Sequence, residues 1–263
     1  MNYTLTTILG FSIIFIMTTL GSSLVFFFRN DITKKVNSFL LGLAGGIMVA
    51  ASIWSLIMPS IEMSEVTFGK LAWLPAAVSI ILGGLALALL DKIVPHMHNG
   101  THQEEGPKSH FSKSMKLFFA VTLHNIPEGL AVGFAFGAAA VAGESAAYIS
   151  ALGLAIGIGI QNFPEGAAIS LPMKQVTGSS KKAFLFGMGS GVVEPLSAII
   201  GFLLASHLIV LQPWLLAFSA GAMLFVVAED LIPDANISEN PHNGTWGFMF
   251  GFIIMMILDV ALG

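Results

Sequence analysis

The 263-residue chain contains no cysteine. That excludes disulfides and thiolate metal sites, and it removes the usual indicator of redox compartment. Charge is scarce too: Asp, Glu, Lys and Arg make up 10% of the residues, against about 25% in a soluble globular domain. With 55% hydrophobic residues and a mean hydropathy of +0.85, the chain reads as an integral membrane protein. The alternating segments of roughly ten residues that build a transmembrane β-barrel are missing. The net charge of −4 says little, because the placement of charge matters more than its total in such a chain.

What the sequence does contain is long apolar runs. A hydrocarbon core of about 30 Å needs roughly 20 apolar helical residues. Eight stretches qualify, at about 5–28, 38–58, 71–90, 116–140, 146–171, 183–206, 212–232 and 244–262. Helices satisfy their own backbone groups, which lipid cannot do. The expected fold is therefore an all-α bundle of eight transmembrane helices, one domain over residues 1–263. The first run exceeds a signal-peptide core of about 7–15 residues and no A-x-A-like cleavage site follows it, so it is expected to be a retained span.

The eleven cationic residues orient the bundle. Arg29, Lys34 and Lys35 lie between spans 1 and 2, and Lys92, Lys108, Lys113 and Lys116 between spans 3 and 4. Lys174, Lys181 and Lys182 lie between spans 5 and 6, and only Lys70 falls on the other side. The positive-inside rule makes the favoured face cytoplasmic and puts both termini outside. The longest loop, about 91–115, contains "HMHNGTHQEEGPKSH" and is expected to be cytoplasmic and poorly ordered. Its His96, His98, His102 and His110 admit two readings, loose transition-metal capture or a solvated linker that contains histidine.

Three carboxylates do not sit at span ends. Glu128, Glu165 and Glu194 fall inside apolar stretches, each beside a proline and accompanied by His124, Asn125, Gln161 and Asn162. Ionisable residues deep in a bilayer are expensive, face the protein interior and are functional candidates by default. At 1.5 Å per residue, His124 lies roughly 12 Å and Glu128 roughly 18 Å above the cytoplasmic end at Lys116. Glu165 and Gln161 lie about 13 Å and 19 Å from Lys174, and Glu194 about 18 Å from Lys182. Five polar groups thus reach one depth from three helices.

The spacing fits a shared site. His124 and Glu128 are i,i+4, as are Gln161 and Glu165, so each pair shares a helix face. Asn125 and Asn162 lie one residue along, about 100° around the helix, where they can line an adjacent compartment. Pro127 cannot donate to the carbonyl of Leu123, nor Pro164 to that of Ile160. Kinked or broken helices at midplane point to a transporter's substrate site, and repetition on antiparallel helices implies a local pseudo-two-fold axis. Imidazole, carboxylate and amide oxygen without thiolate suit a divalent cation. The histidine disfavours Mg²⁺ and Ca²⁺, which prefer oxygen shells, while Zn²⁺, Fe²⁺ and Mn²⁺ accept the mixture.

At these residues the sequence resembles the ZIP (Zrt/Irt-like protein) family of divalent-metal transporters. "HNIPEG" at 124–129 and "QNFPEG" at 161–166 are similar to that family's signatures in its fourth and fifth helices. "GIMVAASIWSLIMP" and "GVVEPLSAIIG" resemble the bacterial GufA-type branch in the second and sixth. The resemblance covers essentially the whole chain. It implies a metal centre at His124, Glu128, Gln161 and Glu165, and an adjacent site drawing on Asn125, Asn162 and Glu194. Met48 aligns with a methionine ligand of that branch, and a methionine in an apolar helix equally serves packing. The resemblance also implies a homodimer in a bacterial cytoplasmic membrane, with helices 1, 4, 5 and 6 moving against a scaffold of 2, 3, 7 and 8.

The expected function is transport of Zn²⁺, with Fe²⁺, Mn²⁺ or Cd²⁺ as further substrates, toward the cytoplasm. No cofactor and no nucleic-acid partner are expected; the metal is bound as substrate, and the bilayer is the other partner. Deprotonated carboxylates bind metal better, so occupancy is expected to fall on acidification. Two other classes compete with transport. An intramembrane metalloprotease calls for H-E-x-x-H, whereas this chain has H-N-x-x-E, and Ser190 has no histidine at matching depth. A membrane metal sensor would bind without transport. Glu229, Asp230 and Asp234 in "AEDLIPDAN" fit either a cytoplasmic exit for cations or an ordinary polar helix end.

Overall fold

Eight helices long and apolar enough to cross a membrane account for most of the described residues. They are α1 Tyr3–Phe26, α2 Lys34–Leu71, α3 Trp73–Ile93, α4 Lys113–Ala142, α5 Ser145–Thr177, α6 Ser180–His207, α7 Ile209–Ala235 and α8 Pro241–Leu262. The structure is a computed structural model and describes residues 2–27, 33–97, 104–107, 110, 113–236 and 241–262. Arg29, His98, His102 and Lys108 lie outside the described residues. Within the 91–115 loop, His96–Met97 (β1) pairs antiparallel with Glu104–Glu105 (β2), a small departure from an all-helical chain.

Local chemistry sets several helix ends. The Asn2 side chain accepts from the Leu5 N–H at 3.1 Å, and Thr33 accepts from Val36, so both helices begin on a side-chain cap. α5 stops at Gly178, whose φ of 62° is left-handed, and Ser179 caps α6 by accepting from Lys182. This tight turn makes α5 and α6 neighbours and gathers Lys174, Lys181 and Lys182 at one end.

The helices pack as two sets. The most extensive pairings are α2 with α8, α4 with α6, α1 with α5 and α3 with α7. Helices α1, α4, α5 and α6 form one set; α2, α3, α7 and α8 form the other. Contacts between sets are sparser and run through α4–α7, α2–α5 and α5–α8. Glycine permits the closest approaches within each set. A Cβ on Gly46 would fall on the Phe248 carbonyl of α8, and one on Gly166 on the Thr18 carbonyl of α1.

Two expectations change. The second span does not end near residue 58 but continues to Leu71. Pro59 is accommodated because Ser52–Ile57 forms a π turn just before it, with the Met58 N–H bonded to Ile53 five residues back. The same device recurs in α7, where Val227–Leu231 is a π turn ahead of Pro233 and the Ile232 N–H bonds to Val227. In contrast, α4 and α5 run as uninterrupted α-helix through Pro127 and Pro164. The wide turns thus lie in α2 and α7, not at the prolines of the paired motifs.

Candidate metal centre

The paired motifs place their polar groups in the interior of the α1, α4, α5 and α6 set. Glu128, Asn125, Gln161, Asn162 and Glu194 are fully buried and Glu165 is nearly so. The i,i+4 spacing brings Gln161 of α5 against Glu128 of α4: its Nε2 donates to Glu128 Oε1 at 2.7 Å. Glu165 follows Gln161 one turn along α5 and His124 precedes Glu128 one turn along α4, so these four residues flank a first compartment marked by the Gln161–Glu128 contact.

Asn125 and Asn162, rotated about 100° from their neighbours, face a second compartment centred on Glu194. Glu194 Oε1 accepts from Asn125 Nδ2 at 3.1 Å and from Thr18 Oγ1 at 2.7 Å. Its Oε2 accepts from Asn162 Nδ2 at 2.8 Å. Glu194 therefore ties α1, α4 and α5 to α6. It follows a tightened turn at Val192, whose N–H bonds to Gly189 at 3.2 Å, and this turn is the local irregularity of α6.

The distribution of unsatisfied atoms is the chemical signature of the site. Asn125 Oδ1, Glu128 Oε2, Gln161 Oε1, Asn162 Oδ1 and Glu165 Oε2 are all buried without a hydrogen-bond partner. Each unpaired buried acceptor costs about 1–3 kcal/mol. All five are oxygens with lone pairs to offer. Among the described residues no Lys or Arg lies beside these oxygens, since the described cations sit near helix ends and in loops. The geometry is a concentration of oxygen acceptors and carboxylates that lacks positive charge. Among the described residues, no three His, Asp or Glu side chains are gathered in ready-made ligand geometry; three of the five open oxygens belong to amides.

The structure adds two residues. Thr18 could have been found by depth: counting back from Arg29 at 1.5 Å per residue places it about 16 Å in, level with the glutamates. Asp230 is the other. Its Oδ2 lies 3.1 Å from His124 Nε2, and it is buried, so the reading of Asp230 as an ordinary solvated helix end is corrected. The sequence signal was the proline three residues on, which marks the π turn that re-aims this stretch. Glu229 is exposed and Asp234 partly so.

Other candidates fall elsewhere. Met48 is fully buried in the main apolar core. Ser190 donates to the Gly187 carbonyl at 2.8 Å and its own carbonyl accepts from Asn125, so its hydroxyl serves the helix. His207 bonds Ser206 and the Leu203 carbonyl at the outer end of α6. His110 is exposed.

The family profile described as "ZIP Zinc transporter" matches residues 4–116 and 101–259. The chain is 36% identical to zinc transporter ZIP11 of Xenopus tropicalis, over 98% of each chain. It is 33% identical to zinc transporter GufA of Myxococcus xanthus, over 89% of this chain and 90% of that one. It is 34% identical to zinc transporter ZIPB of Bordetella bronchiseptica, over 97% of this chain and 81% of that one.

Proposed function

The chain belongs to the ZIP zinc transporter family, and from that premise we propose that it carries Zn²⁺ across the membrane toward the cytoplasm, through the site formed by α4, α5 and α6. The observation that carries this reading is the set of five buried, unpartnered oxygens on Asn125, Glu128, Gln161, Asn162 and Glu165. A divalent cation satisfies those lone pairs and offsets the two carboxylates that no Lys or Arg neutralises.

The compartments divide the work. His124, Glu128, Gln161 and Glu165 supply one nitrogen and several oxygens, the mixed set that borderline Zn²⁺ accepts and that Fe²⁺, Mn²⁺ and Cd²⁺ share. Asn125, Asn162 and Glu194 offer an adjacent oxygen-only position. Met48, on α2, is a further ligand supplied by the other helix set. A cation entering the first compartment replaces the Gln161–Glu128 hydrogen bond, since Gln161 must turn its oxygen rather than its N–H₂ toward the metal. Binding needs deprotonated carboxylates, so occupancy falls as pH falls. The relatives named as zinc transporters support the choice of metal.

Lys34, Lys35, Lys92, Lys174, Lys181 and Lys182 mark the cytoplasmic face, and the inward direction is the one that the family resemblance implies. The family resemblance supports a homodimer through the α2, α3, α7 and α8 set. On α3, Ile81, Leu82, Leu85 and Leu89 are exposed and form a ridge for that contact.

The test is uptake into proteoliposomes loaded with a zinc-sensitive dye. Saturable Zn²⁺ uptake is expected, with sharp loss in Glu128→Gln and in His124→Ala. Undiminished flux in both variants would overturn the assignment of the site. Stoichiometric binding with no flux would identify a sensor instead.

A further inference from the structure

Asp230 belongs to the helix set that does not carry the paired motifs, yet it holds the histidine of one of them. Its Oδ2 is 3.1 Å from His124 Nε2, and both side chains are 12% exposed. A neutral imidazole has one N–H and one lone pair. With the Nε2–H directed at the carboxylate, Nδ1 keeps the lone pair, and Nδ1 is then the nitrogen a cation can use. We infer that Asp230 is a positioning residue for the metal centre: from α7 it fixes the tautomer and orientation in which His124 presents Nδ1 to the cation. The result is a carboxylate–histidine–metal triad assembled across the two helix sets. The inference rests on the metal-binding reading of His124 proposed above.

The backbone of α7 supports this role. Asp230 sits within the π turn Val227–Leu231, where the Ile232 N–H reaches back five residues to Val227. One extra residue per turn shifts what precedes and follows it by about 100° around the helix. The turn thereby sets which residue of "AEDL" faces α4, and places Asp230 inside while Glu229 is exposed. Burial keeps the pair out of competition with solvent.

The arrangement has a consequence for transport. The histidine lies on α4 and its carboxylate on α7, so the triad exists only while these helices stay in register. A carboxylate partner raises the basicity of a ligating imidazole. Sliding α4 along α7 would remove that partner and loosen the hold of His124 on the cation. The site would then grip metal in one arrangement and release it in another without any change in its ligand list.

The role predicts a specific pattern of coupling. Zn²⁺ affinity is measured on the purified full chain by competition with a chromophoric chelator, for wild type, Asp230→Asn, His124→Ala and the double variant. Asp230→Asn is expected to weaken Zn²⁺ binding about 10–100-fold, with partial recovery in Asp230→Glu. In the His124→Ala background, Asp230→Asn is expected to have no further effect, because it acts only through that ring. An equal loss in both backgrounds would show that Asp230 binds the cation directly and would overturn the inference. So would wild-type affinity in Asp230→Asn. If His124→Ala itself leaves affinity intact, the metal role of His124 fails, and the inference falls with it by a distinguishable route. A ¹⁵N-histidine spectrum gives a reading independent of affinity: the His124 signals, assigned by their loss in His124→Ala, should report an Nε2–H tautomer that becomes mixed in Asp230→Asn. A mixed tautomer already present in the wild-type protein would also count against it.

Discussion

Glu194 and Glu128 are both fully buried carboxylates midway along their helices, and they are bonded in opposite ways. Glu194 takes three side-chain donors, from Thr18, Asn125 and Asn162, and both its oxygens are used. Glu128 takes one donor, from Gln161, and its second oxygen has none. Glu128 keeps an open oxygen in the first compartment, whereas in the second the carboxylate is saturated and only the amide oxygens of Asn125 and Asn162 stay open. Glu194 therefore works first as the hub joining α1, α4, α5 and α6, and a metal beside it competes with hydrogen bonds already made. Glu128 and Glu165 face no such competition at their free oxygens.

The comparison can be broken most directly at its incomplete side. Glu128→Gln should lower Zn²⁺ uptake in proteoliposomes by about 100-fold, equivalent to about 2.7 kcal/mol, while leaving the melting temperature unchanged or raised. Gln keeps the oxygen that accepts from Gln161 and replaces the open carboxylate oxygen by an N–H₂ that can turn to the open oxygen of Glu165 one turn along α5. Glu194→Gln should show the reverse emphasis. Its N–H₂ would face the donors of Thr18, Asn125 or Asn162, so the melting temperature should fall, with uptake reduced about tenfold, or about 1.4 kcal/mol. Equal stability changes in the two variants would erase the distinction between hub and open site.

Smaller changes sharpen it. Thr18→Val keeps the shape of the side chain and removes one of the three donors to Glu194, which should cost about 1–3 kcal/mol of stability because a buried acceptor loses a partner. Uptake should fall only a few-fold, and a loss as deep as that of Glu128→Gln would contradict the hub role. The smallest effect is expected from Ser219→Ala. Ser219 of α7 donates to the Pro127 carbonyl of α4 at 2.7 Å, a neutral hydrogen bond between the two helix sets worth about 1 kcal/mol. Its loss should alter the maximal transport rate more than the apparent affinity for Zn²⁺, because it touches the interface and not the ligands. A change confined to affinity would count against that placement.

The polar cluster was largely legible from spacing. The i,i+4 pairs set His124 with Glu128 and Gln161 with Glu165, and the 100° offset separated Asn125 and Asn162 into a second compartment, where they do meet Glu194. Thr18 escaped because a threonine in an apolar helix carries no signal of its own until a partner is in place. Asp230 in "AEDLIPDAN" fitted either a cation exit or a polar helix end, and only the π turn and the packing of α7 on α4 give it its place beside His124. The prolines misled in a particular way. Pro127 and Pro164 remove donors, as any proline must, yet neighbouring helices support α4 and α5 as continuous helix, and the wide turns arise before Pro59 and Pro233 instead.

By itself the sequence determined the membrane class and the number of spans, and it set the expected orientation and depth of the buried carboxylates. Each follows from composition, helix rise and the placement of lysines, which are local properties. Tertiary structure alone decided which carboxylate is saturated and which is left open, because that depends on donors arriving from other helices. It also decided that the histidine of the first motif is held by an aspartate from the opposite helix set. No periodicity within one helix can encode a contact between α4 and α7; that pairing exists only once the two sets are packed.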